Sequence, residues 1–137
     1  MTGNSLPQVR STKYMRAAAH TAITGVSAFA IVSLIKHQNP AARLPHPCFA
    51  ALVAALASGL PDVLEPANNP HHRQFCHSAV FAALITLGMK KLYDWIPTTP
   101  GEVLIRDTLL SIGFGYMAHL GADATTAMGL PFVGKYS

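Results

Sequence analysis

AAAHTAITGVSAFAIVSLI, residues 17–35, is an apolar run of 19 residues with Arg16 before it and Lys36 after it. A helix of that length covers about 28 Å, close to the hydrocarbon thickness of a bilayer. The run is rich in alanine and carries Thr21, Thr24, Ser27, Ser33 and, unusually, His20. Histidine is rare inside an apolar segment, where an ionisable side chain needs a partner or a function. A cleaved signal peptide is a poorer reading, because the run is long and no cleavage site follows it.

The rest of the chain repeats this pattern in shorter pieces. Residues 37–47 form a proline-rich loop, and Cys48–Gly59 reads as a second apolar helix, too short to cross a membrane alone and ended by Pro61. Residues 61–74 make another loop, rich in proline, asparagine and histidine. Phe75 to about Asp94 reads as a third helix, with Lys90 and Lys91 suited to the dipole near its C-terminal end. Glu102 to about Ala122 reads as a fourth, with Thr99 available as its cap. No strand-like alternation persists. The expectation is an all-α protein, a compact bundle of four to five helices partly embedded in a membrane. Residues 1–12 are expected as a flexible tail, and residues 13–137 as one helical metal-binding domain.

Composition supports a membrane setting. Half of the 137 residues are hydrophobic and 12% are charged, against roughly 25% in an average soluble domain. The net charge of +4 is scattered apart from Arg10, Lys13 and Arg16, so a nucleic-acid partner is not expected. Anionic lipid is a better partner for this charge. Two cysteines, Cys48 and Cys76, make no disulfide framework and no CxxC pair.

Seven histidines are the feature that calls for chemistry. His119 and Asp123 stand four apart on an apolar helix, so they share a face about one turn from each other. That spacing suits two ligands of one metal ion, and it equally suits a local hydrogen bond at the helix end. His72 and His77 flank the start of the third helix and are placed to converge on an ion, with Arg73 between them available for an anionic group such as phosphate. Read plainly, His71 and His72 are loop residues and His77 an N-terminal helix residue. Asp62 follows Leu60-Pro61, where a carboxylate serves as ligand or turn cap, and Glu65 is a second carboxylate nearby. His37 and His46 read as surface residues.

Taken together, the chain resembles the membrane-bound, metal-dependent hydrolase family typified by YdjM, thought to be related to the zinc-dependent phospholipase C and P1 nuclease fold. The carriers are His20, Leu60-Pro61-Asp62, the string His72-Arg73-Gln74-Phe75-Cys76-His77-Ser78, and the string from Gly115 through His119 to Asp123, followed by Thr126 and Gly129. They extend over residues 17 to about 131. Two departures stand out. Leu64 occupies the place of a second aspartate common in the family, and Gln74 and Cys76 replace a glycine and a threonine. The resemblance implies metal ligands His20, Asp62, His72, His77, His119 and Asp123, holding one or two Zn2+ or other divalent ions. For hydrolysis, Asp62 or Glu65 is expected as a general base instead of a ligand, and Arg73 or a second ion as the group that steadies developing charge. The expected activity is hydrolysis of phosphoester bonds in a lipid-like or other small substrate, at the bacterial inner membrane. The competing expectations are a non-enzymatic membrane protein with a structural metal, and an interaction module that needs no metal.

Overall fold

Where the apolar runs lie, the chain is helical. The computed structural model describes residues 8–64 and 78–125, with only the backbone for residues 8–14 and Arg16. Its helices are α1 (Gln8–Gln38), α2 (Pro47–Ala57), α3 (Leu60–Leu64), α4 (Ala79–Asp94) and α5 (Pro100–Ala124), and no strand occurs among the described residues. The all-α expectation is met.

Three boundaries depart from the sequence reading. Helix α1 begins at Gln8, so residues 8–12, read as tail, are helical. Hydropathy marks where a helix is apolar, whereas the polar residues before it are adequate helix formers that extend it at little cost. Helix α4 begins at Ala79 rather than Phe75. Ser78 is its N-cap, with Oγ accepting from the Phe81 amide at 3.1 Å. Pro61 does not end the second apolar helix. The break falls at Ser58-Gly59, and Pro61 sits in the first turn of α3, where its missing N–H costs nothing. The helical stretch Pro47–Leu64 is therefore 18 residues long and apolar enough to cross a membrane, against the expectation of a helix too short to do so.

Caps fix the remaining starts. The His46 ring nitrogen Nδ1 accepts from the Cys48 amide at 3.2 Å, ahead of Pro47 in the first turn of α2. Thr99 and Glu102 form a capping box at α5, as the sequence suggested for Thr99.

Helix α5 is the centre of the bundle and packs against each of the other helices, while α1 also packs along α2. The contacts give the directions. Thr21 meets Ser58 and Gly25 meets Ala51 and Ala55, so α1 and α2 are antiparallel. Ala54 meets Gly115 and Asp62 meets His119, so α2–α3 runs with α5. Met89 meets Gly113 and Phe81 meets Tyr116, so α4 runs against it.

Burial is inverted relative to a water-soluble domain. The interior is built from small and polar residues, including Ala28, Ala50, Ala54, Thr24, Ser58 and Ser111, with few large side chains such as Leu110 and Leu120. The large aliphatic and aromatic residues, among them Val26, Phe29 and Leu34 on α1, Leu52 and Leu56 on α2, and Leu104 and Ile105 on α5, face outward. Small residues let membrane helices approach closely, and lipid rather than protein covers the large ones. Ala17–Gln38 and Pro47–Leu64 are long and apolar enough to cross a membrane. Only 17% of the first window and 28% of the second is buried inside the bundle, unlike the core helices of a soluble protein.

Candidate functional site

Every described residue of the expected ligand set lies at one end of the bundle. His20 is near the start of the apolar part of α1, Asp62 is on α3 beyond the α2 break, and His119 and Asp123 are on the last turns of α5. Antiparallel α1 and parallel α2–α3 around α5 bring these three segments, distant in sequence, to the same level.

His119 is the hub. Its ring is buried, with the side chain 6% exposed. Nε2 stands 3.4 Å from Oδ2 of Asp123, one turn along the same helix, and 3.6 Å from Oδ1 of Asp62. The His20 ring lies beside it, with centroids 5.4 Å apart and planes tilted by 34°. Asp123 is nearly enclosed at 13% exposed, whereas Asp62 is at the rim at 55%. A Thr21–Ser58 hydroxyl contact of 3.3 Å ties α1 to the end of α2 next to the site.

The donors of this cluster are imidazole nitrogen and carboxylate oxygen, ligand types that zinc accepts and that manganese and iron accept too. Among the described residues, no group of three or more His, Cys, Asp or Glu side chains stands as a metal-holding cluster. His72 and His77, the other expected ligands, and Glu65 and Arg73, expected in catalysis, lie outside the described residues.

Two polar features escaped the sequence reading. Ser58 is buried, and its hydroxyl donates to the Ala55 carbonyl at 2.8 Å while meeting Thr21. Arg106 is buried toward the opposite end of α5 and grips Asp107 through Nε at 3.1 Å and Nη2 at 2.9 Å. An arginine and an aspartate inside an apolar helix were the available signal for this pair. His37 is exposed as expected, and His46, also exposed, has the capping role described above.

Residues 15–133 match the family described as YdjM inner membrane protein. The chain belongs to that family. The match takes in α2 to α5 and α1 from Met15 on. With two helices able to span, membership in the YdjM inner membrane protein family places the protein in the inner membrane. No curated protein and no solved structure matches the chain.

Proposed function

We propose that this YdjM-family protein is a metal-dependent hydrolase of the inner membrane, zinc being the expected metal, acting on phosphoester bonds of a lipid-like substrate. The observation that carries the reading is the placement of His119 Nε2 between two carboxylates, with the His20 ring alongside. A kinship with the phospholipase C and P1 nuclease fold belongs to the same proposal. It rests on the His72–Ser78 and Gly115–Asp123 strings.

In this reading His20, Asp62, His119 and Asp123 hold the ion, and His72 and His77 supply further ligands. Bound there, a divalent ion supplies Lewis acidity toward a phosphoryl oxygen and acidifies water toward neutrality. Asp123 keeps the His119 ring in place from one turn away. Asp62, exposed at the rim, could instead leave the ion to the other ligands and take a proton from the attacking water, a role for which Glu65 is the other candidate. Arg73 steadies the anionic substrate.

The deciding measurement is metal content by elemental mass spectrometry on detergent-purified protein, beside a His72→Ala, His119→Ala double variant. One or two equivalents of zinc in the parent, lost in the variant, support the site. An equal metal content in both sinks it. Hydrolysis of a chromogenic phosphodiester that chelator abolishes then supports the enzyme. The near-complete burial of His119 favours one other reading, a closed structural metal site. Under that reading, chelator lowers the melting temperature and no ester is cleaved.

A further inference from the structure

A groove of about 550 Å³ runs between α1 and α5 beside the site. Ile23, Ile31, Phe114 and Met117 form its walls, and Ala28 and Ala118 keep it open. One end lies near the level of the candidate site, although no site residue lines it. Ile23 is three residues along α1 from His20, and Ala122, also in the lining, precedes Asp123. The other end, at Ile31 and Phe114, lies toward the middle of the α1 span.

We propose that this groove holds one acyl chain of a membrane lipid whose phosphate headgroup lies at the His20–His119–Asp123 end. The inference rests on the hydrolase reading for its headgroup end and narrows the substrate class to an acylated phospholipid.

Three observations select this occupant. The first is depth. His20 is three residues inside the span Ala17–Gln38, about 5 Å along the helix. That is the boundary where hydrocarbon gives way to headgroups. The second is direction, because the groove follows α1 away from that boundary into the hydrocarbon layer. The third is length and lining. From Ile23 to Ile31 the groove extends about 12 Å along the helix, and its walls are apolar, which suits a flexible hydrocarbon chain.

The test uses full-length protein in liposomes containing a phosphatidylglycerol with a photoreactive diazirine on one acyl chain. Adducts are mapped by peptide mass spectrometry. The expected result is labelling concentrated on Ile31, Phe114 and Met117, reduced severalfold by Ala118→Trp, with labelling of the exposed Leu84 and Leu87 on α4 unchanged. An Ala28→Leu variant gives a milder filling of the same groove and should reduce the label in the same direction. Equal labelling of the groove and of α4, insensitive to both variants, means ordinary surrounding lipid and overturns the proposal. Groove residues that stay unlabelled while Leu84 and Leu87 are labelled mean that the protein itself covers the groove, which also overturns it. Labelling does not depend on turnover. A labelled groove in a protein without metal would therefore separate failure of the hydrolase reading from failure of this one.

Discussion

Gly115 of α5 packs directly on the backbone of Ala54 in α2, so that a Cβ built at Gly115 would stand 2.5 Å from the Ala54 carbonyl oxygen and 2.9 Å from its Cα. Neither backbone can yield without separating the helices. Gly115→Ala is expected to destabilise the fold by about 2 kcal/mol through overpacking. Because α3 continues from α2, the same substitution moves Asp62 away from His119. Thermal unfolding in detergent should show a lower Tm, and elemental analysis should show reduced metal content. A Gly115→Ala protein with parental stability would contradict the packing described.

The two carboxylates around His119 are not equivalent. Asp123 is 13% exposed and fixed one turn from His119 on the same helix, while Asp62 is 55% exposed on a separate short helix. Under the metal-site proposal, removal of the enclosed carboxylate should cost more. Asp123→Asn is expected to weaken metal retention beyond the roughly 10–100-fold typical of outer-shell changes. Asp62→Asn should weaken it less but lower hydrolysis strongly if Asp62 takes the proton. Competition with a chelator of known affinity orders the two variants, and the reverse order would refute the assignment.

Glu102 links the start of α5 to pH. Its carboxylate accepts from the Thr98 amide at 2.6 Å, the Thr98 hydroxyl at 2.9 Å and the Thr99 amide at 3.3 Å, and the Thr98 bonds foremost hold its pKa below the ordinary 4.5. A depressed carboxylate stabilises the fold above the unfolded pKa, and that contribution disappears as pH falls through the lower folded value. Glu102→Gln should therefore lower Tm at neutral pH, and the gap to the parent should close under acid well below pH 4.5. Thr99→Ala, which removes the other half of the capping box, should cost about 1 kcal/mol. Melting curves across this pH range check both.

Cys48 is exposed at the start of α2, and antiparallel packing turns that start away from the start of the α1 span. In a Cys76→Ser background, a membrane-impermeant maleimide should reach Cys48 from one side of the membrane. With Cys48 also replaced by serine, a cysteine introduced as Ala17→Cys should be reached only from the other. Labelling of both from the same side would exclude α1 as a spanning helix.

The sequence made the helices legible because their apolar runs are long and bounded by proline. The His119–Asp123 pair was legible for the same reason, since a spacing of four on a helix fixes a shared face. The proximity of Asp62 to His119 has no such local signal. It depends on α2 and α5 running in the same direction, a tertiary fact set by the Gly115–Ala54 approach, and only the family strings pointed to it. The break at Ser58-Gly59 was misplaced to Pro61 because proline is the usual helix breaker, yet in a first turn it is harmless. The polar start of α1 was invisible to hydropathy. Ser58 and Thr21 looked like ordinary small residues until their helices were paired.

Ala17–Gln38 has 22 residues and Pro47–Leu64 has 18. The longer one ends in Lys36, His37 and Gln38, so its apolar part, residues 17–35, covers about 28 Å, against about 27 Å for the other. The two apolar lengths match to about one residue, and both fall slightly short of a bilayer core of about 30 Å, so a thin membrane suits the bundle better than a thick one.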